Sequence, residues 1–222
     1  MKIGFVLFSD VTQLDFTGPL QFLGRLPSAE TTTIAKSTAP LKTDGPLVVL
    51  PNQSFDEVGS LDLICVPGGF GVTQAIEDDE TLAFVREVGG AADYVTSVCT
   101  GALLLGAAGL LKDKKATTHW AYTDLLALCG ATYAPGRVVR DGNTFTGGGV
   151  TAGMDFALTV IAALKGETIA QAFQLGLEYN PDPPFNAGHP DRAPPDVTAD
   201  ARARYAPQVD LTKAALQSAV TA

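Results

Sequence analysis

Hydrophobic and polar positions fall in blocks along this chain. Apolar runs of strand length cover residues 3–8, 61–66 and 94–98, and the β-branched run 31–35 adds a further strand. Such continuous runs, each ending abruptly at small or polar residues, predict strands buried on both faces. Helix signals alternate with them. Residues 78–90 begin with acidic residues and close on two glycines; a helix from Thr100 is stopped by Gly109; 121–129 is closed by Gly130; 154–164 and 168–177 follow. Another helix is expected from Thr17 or Gly18, with Pro19 in its first turn, to about Gly24, which leaves Asp15 in the loop after the first strand. Hairpins are predicted at 40–50 around Asp44-Gly45 and at 138–146 around Asp141-Gly142, and residues 115–118 form one more short strand.

Strands alternating with helices predict an α/β fold with a mostly parallel sheet. The chain of 222 residues is long enough for a full core, and a single domain over 1–222 is expected. From 180 to 195 the composition shifts to Pro, Asn, Asp and Gly, which suits an ordered arm, and the alanine-rich tail 200–222 reads as a helix. In parallel sheets ligands bind beyond the carboxyl ends of the strands. Asp15, the Gly68-Gly69 loop, Cys99 and His119 all follow expected strands, so one crevice can collect them, with the glycine run 147–149 closing it.

Cys99 stands out within that crevice. An apolar strand stops at it and a small-residue helix starts at once, with Ser97 and Gly101 two residues to either side. That is the spacing of a nucleophile elbow with Cys as the nucleophile. Amides at the start of the following helix would face the sulfur and favour a thiolate. Position 100 is Thr, so no imidazole adjoins the cysteine. Cys65 and Cys129 lie in apolar surroundings and read as buried thiols. His119, between a strand and Trp120, reads as a satisfied hydrogen-bonding side chain. Asp15, flanked by Leu14 and Phe16, is costly unless it is solvated, hydrogen-bonded or functional.

Composition narrows the partners. Hydrophobic residues make up 46% and charged ones 18%, the net charge is −9, and no Lys/Arg run occurs. That argues against binding nucleic-acid phosphates and suits a small neutral or cationic ligand. No apolar run is long enough to span a bilayer and no signal peptide is visible, so a cytoplasmic location is expected. Three widely spaced cysteines and two histidines give neither a disulfide framework nor a metal site.

Three segments together, Ser97-Val98-Cys99-Thr100-Gly101, Val66-Pro67-Gly68-Gly69 and Ala116-Thr117-Thr118-His119-Trp120, resemble the ThiJ/PfpI superfamily over nearly the whole chain. This implies a flavodoxin-like three-layer sandwich with a cysteine nucleophile elbow. Asp15, Thr100, the run 147–153, and the segments 177–181 and 183–188 are similar to the branch that hydrates isocyanides. The resemblance implies a homodimeric enzyme, free of cofactor and metal, that adds water to a small apolar isocyanide and yields an N-substituted formamide. It makes Cys99 the nucleophile and Asp15 the general acid/base, with Thr100, Gly69, Gly148 and Val150 beside the substrate or thiolate. Two alternatives stay open: another cysteine-dependent activity of the superfamily (amidase, glyoxalase or deglycase), and a ligand- or redox-sensing domain like the sensor half of AraC-type regulators. The acidic chain, which stops at Ala222 without a helix-turn-helix segment, weighs against the last.

Overall fold

In the computed structural model, which describes residues 1–221, the strands and helices alternate as follows. Strand β1 (Lys2–Val6) leads to helix α1 (Gln13–Leu23) and β2 (Glu30–Ala35); the short strands β3 (Leu41–Lys42), β4 (Val48–Val49) and β5 (Gln53–Ser54) precede a single 3-10 turn at Phe55–Glu57. Then come β6 (Leu63–Val66), α2 (Val72–Glu77), α3 (Asp79–Ala91), β7 (Tyr94–Val98), α4 (Gly101–Ala107) and β8 (Lys115–Ala116). A 3-10 segment at Trp120–Cys129 is followed by β9 (Thr132–Tyr133), β10 (Val138–Asp141), β11 (Thr144–Gly147), α5 (Ala152–Lys165), α6 (Glu167–Gly176) and α7 (Pro195–Thr221).

Seven strands form one sheet in the order β10-β11-β7-β6-β1-β2-β5, in which only β10 and β11 pair antiparallel. Its central strands are buried beyond their first residues: Phe5, Ile64, Cys65, Val66 and Phe145 are all sealed from solvent. The order dictates the layers. From β1 the chain crosses to β2 on one side, whereas from β6 it crosses to β7 on the other. Because parallel crossovers are right-handed, the connecting helices must lie on opposite faces. Accordingly α1 packs with α5 and α5 with α6, while α2, α3, α4 and α7 pack among themselves. The result is a three-layer α/β sandwich. The reversal falls between β1 and β6, so the crevice at their carboxyl ends is where a ligand site belongs.

Several elements differ from the sequence expectation for physical reasons. Helix α1 starts at Gln13, which places Asp15 in its first turn instead of in a preceding loop. Its start is set by a tertiary bond, the Thr12 amide donating to the Gly68 carbonyl at 2.9 Å, which no local pattern encodes. Pro19 then lies within the helix. A separate helix, α2, precedes the expected one because Asp78 caps α3, accepting the Thr81 amide and hydroxyl, and so breaks the two apart. The segment closed by Gly130 is wound as 3-10 helix, with Gly130 left-handed at its end (φ 69°). The final helix starts at Pro195, five residues before the expected Asp200, with proline in the first helical position where its missing amide costs nothing. The expected end at Ala222 lies outside the described residues.

Candidate active site

The elbow is built by backbone strain held from both sides. Cys99 has φ 57°, the left-handed region that side chains rarely enter. Its amide donates to the carbonyls of Gly147 (3.0 Å) and Gly148 (2.9 Å), and its own carbonyl accepts the Thr118 hydroxyl at 2.8 Å. These bonds offset a conformation that costs on the order of 1–3 kcal/mol. Helix α4 starts immediately behind, so close to β6 that a Cβ on Gly101 would lie 2.0 Å from the Val66 carbonyl oxygen. Only glycine fits there, which explains the small residue two places after the cysteine. Ser97, two places before it, is fully buried and its hydroxyl finds no hydrogen-bond partner, so small size is what this position supplies.

Asp15 enters from the first turn of α1 and is sealed from solvent. Its Oδ2 accepts the Gly68 amide at 3.0 Å, while Oδ1 makes no well-formed hydrogen bond. The carboxyl and the Cys99 thiol lie within hydrogen-bonding reach of one another. Burial pushes the Asp15 carboxyl up to about 7, against the opposing pull of the thiol and the Gly68 amide. The Cys99 thiol is pushed well above its ordinary value, first by burial and then by the Asp15 charge, although the Val150 and Thr100 amides at the sulfur pull it down. Two negative charges side by side in a dry site are too costly, so the pair titrates as a unit that carries one charge once its first proton leaves. The helix start does favour a thiolate, as expected, but it does not act alone. The amides do face the sulfur, but α4 spans seven residues and desolvation beside a carboxylate outweighs them.

The remaining expected residues converge on the same point. The Thr100 hydroxyl accepts the Gly69 amide at 3.0 Å and lies 3.3 Å from the Gly69 carbonyl. Gly68 packs so tightly that a Cβ there would meet the Thr100 amide nitrogen at 2.5 Å and Asp15 Oδ2 at 2.9 Å. Gly148 accepts the Cys99 amide and donates to the Arg137 carbonyl at 2.9 Å, and the next-but-one residue, Val150, presents its amide to the sulfur. Asp15, Gly69, Cys99, Thr100, Gly148 and Val150 therefore share one site.

His119 borders it as a neutral side chain, its pKa lowered to about 4 by burial, with Nδ1 accepting the Ala121 amide at 3.3 Å. Cys65 and Cys129 are buried thiols pushed by desolvation to about 12 and about 11, as inert as their surroundings imply. Among the described residues no three His, Cys, Asp or Glu side chains gather where a metal ion could sit.

Sequence reasoning missed three contributors. Thr118, which fixes the elbow carbonyl, lies inside a run already noted but carried no separate signal. An ion pair between Arg137 and Asp155, reinforced by Arg137 Nη2 on Thr151 Oγ1 (3.1 Å) and the Tyr179 hydroxyl on Asp155 (3.1 Å), braces the loop that carries Val150. Tyr205 of α7 stands against His119, with ring centroids 4.9 Å apart; an aromatic in an alanine-rich tail was its only sequence trace.

Residues 1–163 match the model of the DJ-1/PfpI family. The chain is 53% identical over 211 residues to the isonitrile hydratase of Pseudomonas putida, an alignment covering 95% of this chain and 92% of that protein. A THiJ/PfpI family protein from Pseudomonas syringae superposes with a TM-score of 0.95 at 42% identity, covering 97% of this chain and 90% of the other. Drosophila melanogaster DJ-1beta, at 21% identity, shares the fold with a TM-score of 0.71 over 80% of this chain and 97% of its own. No helix among the described residues is long and apolar enough to cross a membrane. With its parallel sheet, its strained cysteine elbow and a family match over most of its length, this chain belongs to the DJ-1/PfpI family.

Proposed function

We propose that the chain is an isonitrile hydratase, with Cys99 as nucleophile and Asp15 as general acid and base. The observation that carries this reading is the buried Asp15–Cys99 pair beside the Val150 amide, in a chain 53% identical to a protein of that activity.

The chemistry follows from the pair. Its one retained proton passes to Asp15 as the Cys99 thiolate attacks the terminal carbon of R–N≡C, forming a C–S bond. The resulting imidoyl carbanion takes the Asp15 proton on carbon, giving the thioimidate R–N=CH–S–Cys99. Asp15, now a carboxylate, removes a proton from water as the oxygen attacks that carbon, and passes it to nitrogen. It then accepts the hydroxyl proton while the C–S bond breaks, releasing R–NH–CHO and restoring the starting pair. One water is consumed, one hydrogen ends on carbon and one on nitrogen, and no outside reductant or oxidant is needed. A carboxyl poised near 7 suits each of these transfers, because it gives and takes protons with little penalty at neutral pH. An isocyanide is neutral, so a dry site without a charged clamp accommodates it.

In the same reading residues 1–222 work as one domain, with 180–222 as its arm and C-terminal helix, and the enzyme is a homodimer. Thr100, Gly69 and Gly148 hold the elbow and its facing loop, and the Val150 amide stabilises the sulfur charge. The test is to incubate the purified protein with cyclohexyl isocyanide and measure N-cyclohexylformamide, with Cys99→Ala as control. Formamide from the unaltered protein alone supports the reading; none from either overturns it.

A further inference from the structure

The Cys99 carbonyl is a buried acceptor that helix α4 leaves short of a partner. At a regular helix start it would accept the Leu103 amide, but that amide goes to the Thr100 carbonyl at 2.9 Å, and the Ala102 amide reaches the Cys99 carbonyl only at 3.5 Å. The short bond comes from another part of the chain. The Thr118 hydroxyl donates to this carbonyl at 2.8 Å, and Thr118 is itself buried.

That bond does more than fill an acceptor. The Cys99 carbonyl and the Thr100 amide are two ends of a single planar peptide unit, so holding the oxygen fixes the direction of the N–H. The Thr100 amide lies at the Cys99 sulfur. It also borders the carboxyl, since a Cβ on Gly68 would meet both the Thr100 nitrogen, at 2.5 Å, and Asp15 Oδ2, at 2.9 Å.

The anchors on either side leave this peptide free to turn. Before it, the Cys99 amide is held by the carbonyls of Gly147 and Gly148. After it, the Thr100 hydroxyl accepts the Gly69 amide at 3.0 Å, and that loop is pinned to α7, where Gln208 Nε2 donates to the Phe70 carbonyl at 3.0 Å and to the Thr73 hydroxyl at 2.9 Å. Between these anchors the Thr118 hydroxyl is the short bond that stops rotation. The strained Cys99 supplies the drive to turn, because a side chain in the left-handed region gains by leaving it. Thr117 provides the contrast. Its hydroxyl donates to the Gly136 carbonyl at 3.2 Å and its amide to Thr146 Oγ1 at 2.9 Å, so it fixes the same segment through bonds that do not involve the elbow.

We propose that Thr118 is a positioning residue of this active site: by holding the Cys99 carbonyl, its hydroxyl keeps the Thr100 amide aimed at the sulfur. This role rests on the hydratase reading, whose first covalent step it serves. A donor aimed at the sulfur stabilises the attacking thiolate and loses that role once the C–S bond has formed, so its effect falls on the chemical step more than on substrate binding. The ionisable groups around the sulfur are Asp15 of α1, Tyr122 and His119 at the 3-10 segment and Tyr205 of α7, with Cys65 of β6 and Asp44 within range of Asp15. All of them stay the same when Thr118 is replaced.

The test compares Thr118→Val, which keeps the shape and removes the hydroxyl, with Thr118→Ser, which keeps the hydroxyl, and with Thr117→Val. Alkylation of Cys99 by iodoacetamide is followed by mass spectrometry across the pH range, and hydration of cyclohexyl isocyanide is measured alongside. Removing a donor from the thiolate raises the pH at which it forms, so the alkylation limb in Thr118→Val should move up by about one pH unit. In the same variant kcat should fall about ten- to a hundredfold, with KM changed less than about twofold. Thr118→Ser and Thr117→Val should both keep the limb of the unaltered protein. A Thr118→Val limb that stays in place, or a shift that Thr118→Ser or Thr117→Val shares, overturns the proposal. Far-UV circular dichroism checks folding; should Thr118→Val fail that check, Thr118→Ala takes its place in the same comparison. Absence of formamide from the unaltered protein overturns the hydratase reading, and the alkylation limb still decides the role of Thr118.

Discussion

Replacing Asp15 by Asn should make the protein more stable and less active, and the size of the stability change can be worked from the site. The carboxyl is sealed from solvent and titrates at about 7, against 3.8 for an ordinary aspartate. In the unfolded chain it loses its proton near 3.8; in the folded chain it keeps it to about 7. Over that interval the folded state binds more protons, so unfolding free energy falls as pH rises. At about 1.4 kcal/mol per pH unit the loss is about 4 kcal/mol as an upper bound. Local relaxation and water penetration bring it to about 2. Asparagine has the same shape, keeps an oxygen for the Gly68 amide and carries no charge to desolvate. Urea unfolding of both proteins at fixed concentration at pH 4 and pH 7.5 isolates the effect, because every other titrating group is common to the two. The stability difference in favour of Asp15→Asn should grow by about 2–4 kcal/mol between those pH values, while hydration of cyclohexyl isocyanide falls at least a hundredfold. A stability difference that stays flat with pH would refute the argument that burial holds the proton on this carboxyl.

Other outcomes follow from the same geometry. In the unaltered enzyme kcat/KM should rise with pH along a limb near 7, as the pair sheds its first proton and gains the single charge that attacks; a stopped pH profile in Asp15→Asn would check the assignment of that limb. Quenched reactions analysed by mass spectrometry should show Cys99 carrying the mass of one isocyanide, and Cys65 and Cys129, pushed to about 12 and about 11, should stay unlabelled by thiol reagents at pH 8. Gly101→Ala should unfold or severely destabilise the protein, since its Cβ would sit 2.0 Å from a backbone oxygen, whereas Ser97→Ala should change stability by less than about 1 kcal/mol in denaturant melts because its hydroxyl is unpartnered. Light scattering should return twice the 23.0 kDa of the chain, as a homodimer requires.

The elbow was legible in the sequence because it is local. A strand, a cysteine and a small-residue helix within a dozen positions define its shape, and β7 matches the expected residues 94–98. The alternation of strands and helices was enough for the parallel sheet. What stayed hidden depends on contacts between distant parts of the chain. The start of α1, and with it the depth of Asp15, is set by Gly68 more than fifty residues on. The charge state of Cys99 stayed open because a helix terminus is visible in sequence while the dryness of its surroundings is not. Tyr205 reaches the site only through the packing of α7, and the Arg137–Asp155 brace joins a loop to a helix eighteen residues away.

The polar pinning of α7 to the Phe70 loop has a consequence in the order of synthesis. Every group that makes the elbow reactive precedes residue 151, whereas Tyr205 and Gln208 come more than fifty residues later. At roughly 5–20 residues per second, a ribosome needs about 3–11 s to pass from Val150 to Tyr205. During that interval the elbow cysteine belongs to a chain whose Phe70 loop still lacks its pinning helix. The pinning of the Phe70 loop is therefore acquired after the elbow in each nascent molecule.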